Sequence, residues 1–273
     1  MKTLLDIRPL ENSDIESASE LLPIEWNFKP GQFLSNHSKN EAYRAFGGFM
    51  NEKLVCFGDV IINKNSGWLG NIVVSPDFRT NGFGQAISLF LVNFLKKEHC
   101  GTIHTMASDI TKVNYQKLGF LTSSVYCILK GNLLISSSKN QNIRLLTEEH
   151  VDQVYKLDNE ATHEDRSEFL KKSVFGGWVY VSSEENKIKG FYLPDCDEGP
   201  IIASDTKAGL QLLLLKHSIS LKDAVIPCEN KAAVDFLKNN HFKEMGMICK
   251  MVIGEDLDCN QEMIFSRAGR FGA

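Results

Sequence analysis

The sequence predicts a mixed α/β fold that occurs twice: two tandem domains, each with a mostly antiparallel central sheet flanked by helices. In the first half, strand patterns precede a strand, a helix and another strand, an order typical of mixed sheets. The chain also opens twice in the same way, at Ile7-Arg8-Pro9-Leu10 and at Ile143-Arg144-Leu145-Leu146. The polar stretch from Ser136 to Asn142 separates the halves and has the composition of a linker.

A second echo follows the first in the same order. Tyr115-Gln116-Lys117-Leu118-Gly119-Phe120 is matched by Leu237-Lys238-Asn239-Asn240-His241-Phe242, each the end of a helix before an aromatic residue that starts a strand. One echo could arise by chance, but two in one order indicate a duplication. We therefore predict one domain at residues 1–135 and a second at residues 143–273.

Apolar periodicity predicts the elements of the first half. In chain order they are a strand at 4–9, a helix at 13–22, an irregular segment at 26–40, strands at 42–49, 54–63 and 67–74, a helix at 82–97, a strand at 102–107, a helix at 111–118 and a strand at 120–129. The helix at 82–97 has a clear apolar face, made of Ile87, Phe90, Leu91, Phe94 and Leu95.

Composition narrows the range of partners. The 273 residues carry a net charge of -4, so no global basic field is available to hold a nucleic acid or an anionic membrane. No stretch approaches the roughly 18 apolar residues needed to span a bilayer. We therefore expect a soluble, cytoplasmic protein with neither a nucleic-acid nor a membrane partner. The sequence leaves the oligomeric state open.

The cysteines and histidines predict no metal site. The seven cysteines are odd in number, widely spread and never form a C-x-x-C pair, and the seven histidines show no ligand spacing. This pattern argues against a disulfide framework and against a zinc ribbon. It favours reduced thiols, as in cytoplasmic proteins.

The most informative motif is the loop Arg79-Thr80-Asn81-Gly82-Phe83-Gly84, which follows a strand and precedes the helix at 82–97. The two glycines let the backbone approach a ligand, and the helix start adds the positive end of its dipole. These features fit a diphosphate. The pattern G-x-x-x-x-G-K-[ST] is absent, and the third glycine of a dinucleotide fingerprint is missing.

This R-x-x-G-x-G loop, with the Tyr115 to Phe120 segment downstream, resembles the coenzyme A site of the GCN5-related N-acetyltransferase (GNAT) superfamily. The resemblance covers roughly Leu4 to Leu129. It implies that the loop wraps the pyrophosphate of acetyl-coenzyme A and that the preceding strand edge pairs with the pantetheine arm. The cofactor-binding residues that it implies are Ile72, Val73, Val74, Arg79, Thr80, Asn81, Gly82, Phe83, Gly84 and Gln85.

The resemblance also implies a mechanism. Tyr115 stands where the family usually keeps a tyrosine that protonates the departing thiolate; its alternative role is to pack a helix against the sheet. A backbone N–H at Val73 or Val74 is the expected oxyanion donor. Glu25 and Asp59 are candidate bases, and a chain of water molecules could serve equally.

Trp26 and Asn27 lie in the irregular segment where the family builds its acceptor site, although a buried tryptophan would simply be core. The implied function is transfer of an acetyl group from acetyl-coenzyme A to an amine of a small molecule or a protein. An aminoglycoside, a polyamine, an amino acid and a protein N-terminus all stay open as acceptors. The alternatives are a catalytically silent acyl-coenzyme A sensor or regulator, and a structural module that binds no coenzyme A.

Shorter matches resemble a tandem subgroup of the family, whose second GNAT-like domain is degenerate. They are Trp26-Asn27, Ala107-Ser108, Asp165-Arg166, Gly199-Pro200-Ile201-Ile202-Ala203 and the small residues Gly272-Ala273. Asp165 and Arg166 could contact the acceptor or form a local ion pair on a solvated helix.

The second half lacks the parts of a coenzyme A site. Asp205 stands where a diphosphate would be repelled, Leu237 replaces Tyr115, and His241 replaces Gly119. We therefore expect the second copy to bind no coenzyme A. It would instead border the acceptor pocket or complete the fold.

Overall fold

The computed structural model describes residues 5–21, 40–132 and 140–269. Its contacts divide the chain into two compact units, Met1–Thr105 and Met106–Ala273. The linker-based division between residues 135 and 143 stays a prediction. Three predicted site residues lie outside the described residues: the candidate base Glu25 and the candidate acceptor-site residues Trp26 and Asn27.

The first unit is built on one sheet. Its strands are β1 (Asp6–Pro9), β2 (Tyr43–Met50), β3 (Lys53–Asn63), β4 (Ser66–Val74) and the first part of β5 (Thr102–Ser108), and its helices are α1 (Ile15–Glu20) and α2 (Phe83–Lys97). Neighbouring strands from β1 to β4 are antiparallel, and β4 pairs with β5 in parallel. A parallel pair needs a crossover, which α2 supplies.

Helix α2 packs on the sheet through the predicted apolar face. Ile87, Leu91 and Leu95 are fully buried, and burying each such side chain stabilises the fold by about 1.5–3 kcal/mol. Close packing requires glycine on the sheet side: a Cβ on Gly58 would lie 2.9 Å from Leu91, and one on Gly67 would lie 2.6 Å from Leu95.

The second unit contains a five-stranded antiparallel sheet and three further strands that pair antiparallel. Its helices are α3 (Asp109–Gln116), α4 (Val151–Thr162), α5 (Ser167–Leu170), α6 (Thr206–Ile219) and α7 (Lys231–Asn239). Its strands are β6 (Leu121–Lys130), β7 (Ile143–Leu145), β8 (Trp178–Val181), β9 (Ile188–Tyr192), β10 (Ile201–Ala203), β11 (Ala224–Pro227), β12 (Lys243–Gly254) and β13 (Ile264–Ser266). One sheet has the order β13-β10-β9-β8-β7, and β6 lies between β12 and β11. The mixed α/β class predicted from the sequence is confirmed.

The duplicated helix ends close in the same way. Phe120 donates its backbone N–H to the carbonyl of Tyr115 (3.1 Å), and Phe242 donates to the carbonyl of Leu237 (3.0 Å). The residue before each phenylalanine is left-handed: Gly119 has φ +93° and His241 has φ +68°. The shared backbone geometry therefore survives the replacement of glycine by histidine.

The expectation of seven reduced thiols is wrong at one pair. Cys127 and Cys228 form a disulfide whose Cα atoms are 5.6 Å apart, and the other five cysteines are free and buried. The pairing of β6 with β11 brings the two together, and Cys228 N–H donates to the carbonyl of Val125 (2.9 Å). Their sequence separation of 101 hides this proximity in the sequence.

Arg166 does not form the solvated ion pair with Asp165 that the sequence left open. It is fully buried and forms a bidentate pair with Asp158, with Nη2 to Oδ1 at 2.6 Å and Nε to Oδ2 at 2.9 Å. Burial opposes the charge, but the facing Asp158 carboxylate outweighs it and raises the pKa of Arg166. Asp165 instead accepts a hydrogen bond from the Ser167 hydroxyl (2.6 Å). Arg166 is thus part of the interior of the second unit.

Candidate functional site

The end of β4 presents a backbone edge that faces away from β3. Ser75 N–H donates to the carbonyl of Val55 (2.9 Å), so Ser75 faces β3 and the N–H and C=O of Val74 point to the other side. The Val74 carbonyl accordingly accepts from Nε of Arg79 (3.4 Å). In the described ladder between β4 and β5, pairing ends at Trp68 and His104. Among the described residues, no ladder to β5 extends to the stretch of strand edge that contains the Val74 amide.

The loop after β4 is held in an unusual backbone conformation. A 3-10 turn spans Pro76–Phe78, and Thr80 and Gly82 then take positive φ values of +67° and +81°. A β-branched residue rarely adopts this region, so Thr80 marks local backbone strain of the kind that clusters at functional sites. The Asn81 amide braces the loop by donating to the carbonyl of Phe78 (3.2 Å).

The start of α2 leaves its first amides open. The first helical hydrogen bond runs from Ala86 N–H to the carbonyl of Gly82 (2.9 Å), and within residues 5–21, 40–132 and 140–269 no side chain caps this end. The N–H groups of Phe83, Gly84 and Gln85 precede that bond and have no partner within the helix. They also lie at the positive end of the helix dipole. We call the backbone from Arg79 to Gln85 the cradle.

The cradle has room for a ligand and lies next to the strand edge. A Cβ on Gly82 would meet no atom of the described residues within 4 Å, whereas one on Gly84 would lie 3.5 Å from Cγ2 of Val74. Two exposed side chains, Arg79 and Lys53, add positive charge near the loop, and Asp77 partly offsets it. The Nζ of Lys53 lies 5.6 Å from the centre of the Phe78 ring. The structure thus brings the predicted cofactor loop and the predicted strand edge together in the first unit.

The corresponding helix start in the second unit is closed. The Asp205 carboxylate caps α6 by accepting from the Ala208 N–H (2.9 Å). Gly209 follows, but a Cβ there would lie 2.3 Å from the ring of Phe265. This glycine therefore permits close packing instead of approach by a ligand.

Tyr115, the predicted acid, lies on α3 in the second unit. It is 8% exposed, and its ring meets that of Phe120 edge to face at 5.6 Å. Its predicted catalytic role stays a prediction.

Asp59, a candidate base, is fully buried on β3. Its Oδ2 accepts from the Tyr43 hydroxyl (2.7 Å) and from Nδ2 of Asn71 (2.9 Å). Burial and the Asp59 charge raise the pKa of Tyr43 well above its ordinary value, so its phenol stays protonated and donates. Sequence reasoning missed Tyr43 and Asn71, although an asparagine within the β-rich run of β4 was a usable signal.

Comparison with known families decides the identity of the fold. The model of the acetyltransferase (GNAT) family matches residues 7–120, and that of the acetyltransferase (GNAT) domain matches residues 154–266. The chain belongs to the GNAT superfamily. It is a tandem GNAT protein, as the sequence repeats predicted, and membership of this family supports acyl transfer as its class of reaction.

Solved structures share the tandem GNAT fold over nearly the whole chain. A Pyrococcus horikoshii protein described as a candidate acetyltransferase is 18% identical with a TM-score of 0.81, covering 96% of this chain and 93% of its own. A tandem GNAT protein from the clavulanic acid biosynthesis pathway is 11% identical with a TM-score of 0.63, covering 92% and 98%. A GCN5-related N-acetyltransferase from Sphaerobacter thermophilus is 13% identical with a TM-score of 0.60, covering 92% and 97%. No curated protein matches the chain.

Two further features of this tandem GNAT protein bear on its partners. Within residues 5–21, 40–132 and 140–269, no cluster of three or more His, Cys, Asp or Glu side chains could hold a metal ion. The helices in the same ranges are all too short or too polar to cross a bilayer.

Proposed function

We propose that this protein is an N-acetyltransferase that binds acetyl-coenzyme A in the first unit and transfers the acetyl group to an amine of a small molecule or a protein. The observation that carries the proposal is the open start of α2, where the amides of Phe83, Gly84 and Gln85 precede the first helical hydrogen bond and no side chain of the described residues caps them. Such a helix start binds anions, and coenzyme A carries a diphosphate.

The cradle and the strand edge take different parts of the thioester. The backbone of Thr80, Asn81, Gly82, Phe83, Gly84 and Gln85, with the Arg79 side chain, would hold the diphosphate. The edge formed by Ile72, Val73 and Val74 would pair with the pantetheine arm. Because the N–H of Val74 points away from β3, we assign it, and not Val73, to the oxyanion that forms when the amine attacks.

Proton transfer completes the reaction. The amine must be neutral to attack the thioester, and the bond to sulfur breaks as the amide bond forms. We assign the proton for the thiolate to Tyr115, since a phenol with a pKa near ~10 is protonated at neutral pH. Asp59 is buried and accepts from Tyr43 and Asn71, so we assign removal of the amine proton to water.

The second copy takes no part in cofactor binding in this proposal. Asp205 occupies the amide of Ala208 at the start of α6 and brings a negative charge to the place where a diphosphate would lie. A carboxylate there competes for the amide and repels the anion.

The experiment combines binding with turnover. Coenzyme A at 100 times its dissociation constant should raise the free energy of unfolding by about 2.7 kcal/mol, which thermal denaturation detects. Release of free thiol from acetyl-coenzyme A, measured with a panel of aminoglycosides, polyamines, amino acids and peptides, should then depend on one class of amine. Binding without amine-dependent thiol release would instead favour an acyl-coenzyme A sensor. Absence of binding would refute both functions.

A further inference from the structure

Strand β4 contains an extra residue where the strand edge assigned to the cofactor begins. Phe57 pairs with Val73 and Asp59 pairs with Gly70, so the single residue Gly58 faces two residues of β4, Asn71 and Ile72. This is a β-bulge, and it shifts the register of the following residues by one. The N–H groups of successive residues in a strand point alternately to one side and the other. A shift of one residue reverses this order for all later residues, so the bulge determines that the Val74 N–H points away from β3.

The bulge depends on a left-handed residue. Asn71 has φ +47°, a conformation that asparagine tolerates better than most residues other than glycine. Opposite it, Gly58 leaves space for Ile72, because a Cβ on Gly58 would lie 2.5 Å from Cδ1 of Ile72. Both residue types are those that the local backbone needs.

A buried carboxylate holds Asn71 in place. Oδ2 of Asp59 accepts from Nδ2 of Asn71 at 2.9 Å and from the Tyr43 hydroxyl at 2.7 Å, so one oxygen atom connects β2, β3 and β4. Asp59 is 0% exposed, Tyr43 5% and Asn71 6%. A carboxylate in such a place costs free energy unless it is well hydrogen-bonded. An apolar side chain would fill the same volume without that cost, so stability alone does not account for Asp59.

The geometry points to Asp59 as a positioning residue for acetyl transfer: by anchoring Asn71, it fixes the bulge that aims the Val74 amide at the thioester carbonyl. The inference rests on the proposed function and deepens it. Asp59 acts through the backbone and need not touch the substrate. The Tyr43 hydroxyl donates to the same oxygen and keeps the carboxylate turned toward Asn71.

The test measures the interaction with the acetyl carbonyl separately from the affinity for coenzyme A. Calorimetry on the full chain gives the dissociation constants of acetyl-coenzyme A and of coenzyme A, and their ratio reports recognition of the acetyl group. One net hydrogen bond corresponds to a preference of about five-fold for acetyl-coenzyme A. Infrared spectra of acetyl-coenzyme A labelled with ¹³C at the carbonyl report the same bond directly, because hydrogen bonding lowers the stretching frequency.

We expect Asp59→Ala and Asn71→Val to abolish both the preference and the infrared shift, while the affinity for coenzyme A stays within about two-fold. Asn71→Gly should retain more of the shift than Asn71→Val, since glycine adopts positive φ without an anchor. Adding Asn71→Gly to Asp59→Ala should therefore restore part of the signal. A role in stability alone predicts no such rescue.

Ser66→Ala is the matched control. Ser66 is 3% exposed, begins the same strand and donates to the carbonyl of Asn63 (3.3 Å) at the far end of the β3–β4 hairpin. Its loss should lower the melting temperature without changing the ratio or the spectrum.

The outcomes separate this inference from the proposed function. A wild-type protein that binds neither compound refutes the proposed function. A wild-type protein that binds coenzyme A but shows no carbonyl shift, or an unchanged shift in both Asp59→Ala and Asn71→Val, refutes the positioning role alone. If Asp59→Ala does not fold, the infrared shifts of Asn71→Val and Asn71→Gly are compared instead. Equal shifts in these two variants overturn the inference.

Discussion

Gly82 offers the sharpest test of the cradle, because the protein itself leaves its Cβ position empty. It immediately precedes α2 with φ +81°, and a Cβ on it would meet no atom within 4 Å in the part of the chain that the structure describes. The Cβ of Gly82→Glu therefore clashes with none of the described residues in the free protein. It adds bulk and negative charge at the place where the diphosphate would bind.

The magnitude has two separate parts. A residue other than glycine in the left-handed region costs about 1–2 kcal/mol of folding free energy. A carboxylate about 5 Å from a phosphate charge, at an effective dielectric constant of about 20, repels it by about 3 kcal/mol, or roughly 150-fold in affinity. We therefore expect a modest fall in stability and a large fall in affinity for coenzyme A.

The assay is calorimetric titration of coenzyme A at low and at physiological salt, with a melting temperature for each variant. Gly119→Glu is the matched control, since Gly119 has φ +93° and an equally open Cβ position. It bears the same conformational cost and the same added charge outside the loop of residues 79–85. Gly82→Ala separates bulk from charge, and the deficit of Gly82→Glu should shrink as salt screens the repulsion. Wild-type affinity in Gly82→Glu, or an equal loss in Gly119→Glu, would refute the placement of the diphosphate.

Two further predictions concern the second unit. Tyr115→Phe should lower kcat by roughly 10–100-fold with the amine identified by the panel, because the thiolate loses its proton donor. The dissociation constant of coenzyme A should stay unchanged. An unchanged kcat would show that Tyr115 only packs α3. Burial and the Lys216 charge lower the pKa of His217 to about 3, below its value of ~6.5 in an unfolded chain. Between those values the unfolded chain binds more protons, so the unfolding free energy should fall as the pH drops from 6.5, by up to about 1.4 kcal/mol per pH unit. Urea denaturation of wild type and His217→Leu between pH 4 and 7 checks this, and equal slopes would contradict it.

Local sequence patterns predicted most of the first unit. The helix expected at 82–97 is Phe83–Lys97, and the strand expected at 54–63 is Lys53–Asn63. These elements follow from apolar periodicity, which a stretch of sequence carries by itself. The cradle was predicted for the same reason, since its glycines and the helix that follows are consecutive in the chain.

Features that depend on register between strands were not predictable. The Asp59 network joins Tyr43 and Asn71 from two other strands, and its hydrogen bond to Asn71 is made at the bulge opposite Gly58. The disulfide between Cys127 and Cys228 likewise follows from the pairing of β6 with β11. Side-chain periodicity shows which face a residue occupies, but not which residue of a neighbouring strand lies opposite it.

The two copies differ in what binds the free backbone N–H groups at the start of the corresponding helix. At the start of α6, Asp205 caps the helix, a contact worth about 1 kcal/mol of stability. At the start of α2, Gly82 provides no cap, and the loop before it keeps Thr80 at φ +67°. The first copy therefore lacks a stabilising contact that its duplicate has, and it also retains a strained residue. An anion at the amides of Phe83 and Gly84 would supply the missing hydrogen bonds. Under the proposed function, selection for such a ligand would explain both the absent cap and the retained strain, whereas selection for stability alone would favour a cap like Asp205.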